Sequence, residues 1–149
     1  MFKDEETLVC FKKIRDYIDS EIEKCAKEIG ITKPEADVLI AVTFNENINQ
    51  GRDVAKLKGF SKSYVSKAVA KLLDRGFISL VLDESDHRCQ HIIINAETND
   101  IIAKLQEKHK YVTDKLSKEI TDEERETVTS VIKKIKNNIE ERKWVCLNY

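Results

Sequence analysis

Between Arg52 and Arg75 the chain sets seven lysines and arginines (52, 56, 58, 62, 67, 71 and 75) against two aspartates. This local charge of +5 sits in a 149-residue protein whose net charge is −1, so the remainder carries −6. Concentrated cations suit the binding of a polyanion, and the plainer alternative is a solvated helix surface. Within KGFSKSYVSKAVAKLLDRGFI (Lys58–Ile78), hydroxyls at Ser63, Tyr64 and Ser66 stand among Lys62, Lys67 and Lys71. Lysines and hydroxyls of this kind donate hydrogen bonds to phosphate oxygens, and the hydroxyls can also reach base edges.

Other reactive side chains are sparse. His87, Cys89 and His91 alternate, so on a strand they would share one face within reach of a metal ion. No fourth ligand is evident, and neither a metal nor a cofactor is expected. The four cysteines (Cys10, Cys25, Cys89 and Cys146) are scattered without a CxxC pair, which suits reduced thiols rather than a disulfide framework. A phosphate-cradling glycine loop, a nucleophile elbow and HExxH are all missing, and there are only three histidines. These absences weigh against an enzyme.

The elements that must carry the basic stretch follow from periodicity and punctuation. Apolar residues at 8, 11, 14, 18, 22, 25 and 29 predict a long amphipathic helix stopped by Gly30. Thr32-Lys33-Pro34-Glu35 has the form of a capping box and opens a helix through Val38, Leu39, Val42 and Phe44. After the turn-rich NENINQG (45–51) comes a short helix over Arg52–Lys58, closed by Gly59. Ser61 is a good N-cap for the next helix and Gly76 a good stop. At about 100° per residue, Val65, Ala68, Val69 and Leu72 fall together as a core seam, leaving Ser63, Tyr64, Lys67, Ala70 and Lys71 on the outer side. That outer side has no carboxylate before Asp74, unusual for a solvated face in so acidic a chain.

FISLVL (77–82), the turn DESDH and a second strand over Arg88–Asn95 predict a β-hairpin directly after this helix. Further helices follow, one with apolar residues at 101, 102, 105, 112, 116 and 120. The next starts at a second capping box, Thr121-Asp122-Glu123-Glu124. Three helices and then a hairpin is the order of a winged helix-turn-helix. The long helices at the two ends have little to pack on in so small a domain, so they are expected to pair with each other and with a second subunit.

Bulk composition agrees with a helix-rich single domain: 36% charged residues, four glycines and one proline. No run approaches the roughly 18 apolar residues of a membrane span. The acidic start MFKDEETLVCF lacks the basic region of a secretion signal, so a cytoplasmic protein is expected.

In order and spacing these segments resemble the MarR family of bacterial transcription regulators over nearly the whole chain. Ile31-Thr32 stands where the family has Leu-Thr, and Val54-Ala55 where it has Leu-Ala. Lys58-Gly59-Phe60-Ser61 is similar to its Leu-Gly-Ile-Ser, and Val65-Ser66-Lys67 to the Val-Thr-Arg of its recognition helix. Leu72 and Gly76-Phe77-Ile78 fit the family's Leu and Gly-Leu-Val, and Asp86-His87-Arg88 its wing Asp-x-Arg, the most specific signal. The departures are Leu80-Val81-Leu82 in a wing strand that is often basic, Ile94-Asn95 in place of Leu-Thr, and an acidic wing.

The resemblance implies a mainly α fold with a small β-hairpin wing, a winged helix-turn-helix with long N- and C-terminal dimerisation helices. Residues 32–96 would be the DNA-binding region, and residues 1–30 and 98–149 the dimerisation helices. It implies a homodimeric regulator, a repressor, that binds a pseudo-palindromic operator in double-stranded DNA and is released by a small molecule or an oxidant. Lys67 would contact bases or phosphate, Ser63, Tyr64 and Ser66 phosphates or base edges, and Lys62 and Lys71 phosphates. Arg88, held by Asp86, would enter the minor groove. Leu8-Val9-Cys10-Phe11 resembles the sensing-cysteine region of the family's peroxide-responsive branch, with a buried structural cysteine as the alternative for Cys10. Other members bind small anionic aromatic effectors. Trp144, Cys146 and Tyr149 read as dimer packing. The rival function is a winged-helix module that binds protein and has lost DNA binding.

Overall fold

The computed structural model describes residues 5–145, with side chains described through residue 139. In order these form α1 (Glu5–Glu28), α2 (Lys33–Phe44), α3 (Gly51–Lys58), α4 (Lys62–Asp74), β1 (Ile78–Leu82), β2 (Gln90–Ile94), a 3-10 turn (Ala96–Thr98), α5 (Asn99–Leu116) and α6 (Asp122–Val145). The chain falls into two compact units, Met1–Thr113 and Asp114–Tyr149.

In the first unit α2 is the hub. Residues 35–41 are buried without interruption, and Ala36, Val38, Leu39 and Ala41 are fully inaccessible. A helix apolar all round is one surrounded on every side. It starts as its sequence predicts, with Pro34 in the first turn and the Glu35 carboxylate accepting from the Thr32 amide at 2.7 Å and from the Thr32 hydroxyl. Around it pack the C-terminal half of α1 (Ile22, Cys25, Ala26), Val54 and Ala55 of α3, Val65, Ala68 and Leu72 of α4, and Leu105 of α5.

The seam expected for α4 is therefore the one buried, and its length is set at both ends. Ser61 Oγ accepts from the Tyr64 amide at 3.1 Å. At the other end Gly76 adopts φ 69°, letting its amide bond Leu73 O at 3.0 Å and the Phe77 amide bond Leu72 O at 2.9 Å. This double closure requires a left-handed residue, which glycine adopts without a side-chain penalty. Because Phe77 completes the closure, β1 begins one residue later than its composition suggests.

The hairpin is antiparallel, with Ile78 opposite Ile94, Leu80 opposite Ile92 and Leu82 opposite Gln90. Ile78 and Ile92 point inward and are buried. Behind the hairpin, Thr98 Oγ1 donates to Phe77 O at 2.7 Å and Asn95 Nδ2 to Gly76 O at 2.8 Å. These bonds fasten the hairpin's return to the end of α4.

The N-terminal half of the apolar stripe of α1 stays largely open to solvent. Leu8, Val9, Phe11 and Ile14 remain 59%, 47%, 48% and 38% exposed. The second unit repeats this. Its helix α6 starts at the expected box, Glu124 Oε2 accepting from the Thr121 amide at 2.8 Å and Thr121 Oγ1 from the Glu124 amide at 3.3 Å. Val128, Val131, Ile132 and Ile139 are nevertheless exposed. The side chain of Trp144 and residues Cys146 and Tyr149 lie outside the described residues.

Candidate nucleic-acid interface

Away from its buried seam α4 presents Ser63, Lys67 and Lys71 to solvent, and on its flank toward the wing Lys62 and Ser66. None of the ion pairs among the described residues involves Lys62, Lys67 or Lys71. Lys67 and Lys71 lie on the outer face and Lys62 on the side toward the wing, with no carboxylate between them, a distribution of positive charge that suits a polyanion. The wing faces this helix across a cleft of about 390 Å3. Val65, Val69, Leu80 and Ile92 line it with Arg52, Lys62, Ser66 and Arg88, so apolar and cationic side chains share its wall.

Two residues of the basic stretch are used inside the protein instead. Tyr64, expected among the outward hydroxyls, turns in. Its hydroxyl donates to Asp37 Oδ2 at 2.9 Å and its ring lies 4.6 Å from that of Phe60. Tyr64 stands about 90° from the seam's centre, at the edge of the buried face rather than opposite it, so a long side chain can reach either way. Burial and the neighbouring Asp37 carboxylate raise its phenol well above the ordinary value. Asp37 Oδ2 also accepts from Lys33 Nζ at 2.8 Å, and Lys33 reaches Asp19 Oδ1 at 3.2 Å. This network ties α1, α2 and the start of α4 together.

Arg75 secures the other end. Its guanidinium donates to Glu35 Oε1 at 3.1 Å and to Gly30 O at 3.0 Å, and lies 4.4 Å from the centre of the Phe77 ring. Glu35 is 1% exposed. Its burial alone would raise the carboxyl, but the bonds from Thr32 and Arg75 outweigh it and hold the group below its usual range. One capping residue of α2 thus also receives the end of α4.

The wing's acidity has a structural use. Asp83 Oδ1 accepts from the amides of Ser85 and Asp86 at 2.8 and 2.9 Å and from the Ser85 hydroxyl. The Ser85 hydroxyl first, then His91, holds the Asp83 carboxyl far below the ordinary range. Asp86 Oδ1 accepts from the Arg88 amide at 3.0 Å and faces Arg88 Nε at 3.4 Å, as its match to Asp-x-Arg implies. The Arg88 side chain is 94% exposed, so this ion pair contributes little to stability and leaves the guanidinium free to meet a ligand.

His87, Cys89 and His91 do not form the alternating strand face that their spacing suggests. Strand β2 starts only at Gln90, which leaves His87 and Cys89 in the turn. The Cys89 thiol donates to Asp86 Oδ2 at 3.5 Å. His91 has Nδ1 2.9 Å from Asn49 Oδ1 and Nε2 2.7 Å from Asp83 Oδ2. Among the described residues no group of three or more His, Cys, Asp or Glu side chains could hold a metal ion. Cys10 is exposed on α1 within the single chain, beside the exposed Leu8 and Val9; among the described residues the buried thiol is Cys25, which burial pushes up. Sequence alone did not single out Asp37 or Asn49, nor the bond of Glu35 to Arg75 or of His91 to Asp83, because each acts through a partner 8 to 42 positions away.

A sequence model of the MarR family matches residues 29–88, from the end of α1 to Arg88. The HTH-type transcriptional regulator YybA of Bacillus subtilis (strain 168) is 23% identical over 118 residues, 79% of this chain and 77% of that protein. Among solved structures, a MarR family transcriptional regulator from Listeria monocytogenes complexed with 26mer DNA superposes with a TM-score of 0.76. The two are 18% identical, over 91% of this chain and 89% of that one. CouR from Rhodococcus jostii RHA1 bound to p-coumaroyl-CoA superposes with a TM-score of 0.73 at 18% identity, over 91% of this chain and 94% of that one. These likenesses show the winged-helix fold. No helix among the described residues is long and apolar enough to cross a membrane. The matched segment runs from the capped start of α2 through α4 to the wing arginine, so over these residues the chain is similar to the MarR family, on a winged helix-turn-helix fold.

Proposed function

We propose that the protein is a homodimeric repressor that binds a pseudo-palindromic operator through α4 and the wing. The observation that carries this reading is the solvent side of α4, where Lys67 and Lys71 stand unpaired near Ser63, with unpaired Lys62 and Ser66 lining the cleft across which Arg88 is exposed. Lys67, farthest from the buried seam among the helix's lysines, contacts a base edge or phosphate in the major groove, with Ser63 and Ser66 beside it. Lys62 and Lys71 contact phosphates, and Arg88, oriented by Asp86, enters the minor groove. Tyr64 contributes by anchoring the helix to Asp37 rather than by touching DNA. The Listeria relative's complex with DNA supports the same use of the fold.

Residues 32–96 act as the DNA-binding region, and residues 1–30 and 98–149 pair two subunits. The exposed Leu8, Phe11 and Ile14 of α1 and Val128, Val131 and Ile132 of α6 supply apolar surface for that pairing. Two recognition helices so joined meet half-sites about one helical turn apart. Release comes from a small anionic aromatic effector, for which the ligand-bound CouR is a precedent, or from oxidation of the exposed Cys10.

The test is binding to a duplex from upstream of the protein's own gene, followed by fluorescence anisotropy at increasing salt. Affinity is expected to fall steeply with salt, and the Lys67→Ala, Arg88→Ala double variant to bind at least about tenfold more weakly. Absence of salt-sensitive binding to any promoter fragment would exclude the DNA reading. It would favour a protein-binding winged helix, for which Val81 and Ile93 on the wing are exposed. For Cys10, peroxide should release the duplex from the wild type but not from Cys10→Ser. Undiminished release from that variant would remove the thiol from the mechanism.

A further inference from the structure

The wing arginine is connected to the helical body by a run of hydrogen bonds, through side chains and turn amides, whose central member is His91. At one end Asn49, in the segment between α2 and α3, places its side-chain oxygen 2.9 Å from His91 Nδ1. Its backbone oxygen accepts from the Ile92 amide at 2.6 Å, so the same residue grips β2 twice. His91 Nε2 lies 2.7 Å from Asp83 Oδ2. The other oxygen of Asp83 accepts from the amides of Ser85 and Asp86 and from the Ser85 hydroxyl. Asp86 in turn accepts from the amide and faces Nε of Arg88.

We propose that His91 is a positioning residue for Arg88, transmitting the location of the α2–α3 segment through Asp83 to the turn that aims the guanidinium. This rests on the DNA-binding reading for its consequence, though not for its geometry. The turn between β1 and β2 extends beyond the buried Ile78 and Ile92, and Arg88 itself is 94% exposed with Asp86 to orient it. An exposed arginine ion pair of this kind contributes little and orients poorly unless the carboxylate is itself fixed. Asp86 is fixed only as far as its turn is, and that turn is organised on one oxygen of Asp83. The second oxygen of Asp83 decides how the carboxylate is rotated, and His91 holds it. Both partners are acceptor oxygens, so each bond needs a proton on the ring nitrogen that faces it, Nε2–H toward Asp83 Oδ2 and Nδ1–H toward Asn49 Oδ1, and the imidazolium is the form that donates both. Holding both ring nitrogens leaves the imidazole a single orientation, which is how an outer group fixes the group that makes the contact.

Two measurements test this. On the protein without DNA, His91→Ala is expected to speed amide hydrogen exchange at Ser85, Asp86 and Arg88 by about tenfold or more, while the β1–β2 ladder amides stay protected. On the operator, His91→Ala should weaken binding about 5- to 10-fold in the wild-type background but less than about twofold when Arg88 is already alanine, the non-additivity of one acting unit. It should also lower the salt slope by about one, as Arg88→Ala is expected to do. Asn49→Ala, which leaves His91 and Asp83 in place, should reproduce part of each effect, and unchanged melting temperatures separate positioning from folding. Equal losses from His91→Ala in both backgrounds, or unchanged exchange at the three turn amides, overturns the proposal. If the wild type binds no duplex at all, the functional reading fails, and the exchange measurement alone still decides the positioning role.

Discussion

Replacing Glu35 with alanine is expected to lower the free energy of unfolding by roughly 2–4 kcal/mol, measured by urea denaturation at pH 7. The side chain is 1% exposed and is used three ways: it caps α2 through the Thr32 amide and hydroxyl and receives the Arg75 guanidinium. Its removal leaves an uncapped helix start and an unpaired arginine. Arg75 is itself 38% exposed and can turn partly to water, which is why the figure stays below that for a fully buried pair. The effect has a pH signature. The folded-state carboxyl titrates below its ordinary value of 4.5, so its contribution is fully present above that value. It is then lost as pH falls through the lower folded value. The gap between wild type and Glu35→Ala should therefore be widest near neutrality and close in acid. A gap below about 1 kcal/mol at pH 7, or one unchanged down to pH 3, would contradict this account.

The second large effect is expected at Leu72, which is fully buried at the centre of the seam that α4 packs on α2. Leu72→Ala should cost roughly 2–5 kcal/mol, the lost transfer free energy plus the cavity left behind, and Leu72→Met less than about 1.5 kcal/mol. Leu72 O also accepts from the Phe77 amide, so a shift at this position loosens the closure at Gly76 that turns the chain into the wing. Thermal and urea unfolding of the two variants measure the difference. A Leu72→Ala protein within 1 kcal/mol of wild type would show that α4 is held mainly by its polar ends rather than by its seam.

Those polar ends mark where reading from the sequence stopped. Helix starts at Thr32, Ser61 and Thr121 and stops at Gly30, Gly59 and Gly76 were legible because capping is local chemistry, decided by residues within one turn. The core seam of α4 was legible because 3.6-residue periodicity records which side is buried. Angular position was too coarse for Tyr64, whose hydroxyl reaches Asp37, 27 positions earlier in the chain. It was too coarse again for Arg75, counted in the cationic excess but bound to Glu35. The predicted start of β2 at Arg88 was early, because Asp83 and Asp86 draw the following residues into a turn.

Periodicity, caps and the order of three helices and a hairpin were thus enough to establish the winged helix-turn-helix and to separate a core face from a basic face on α4. All of these depend on residues close in sequence, where spacing and geometry are directly linked. Folding alone divided the cations into those bound within the protein and those left for a ligand, and joined Asn49, His91, Asp83 and Arg88 into one support for the wing. The charge of a side chain is local, but whether that charge is already satisfied depends on partners that only packing brings near.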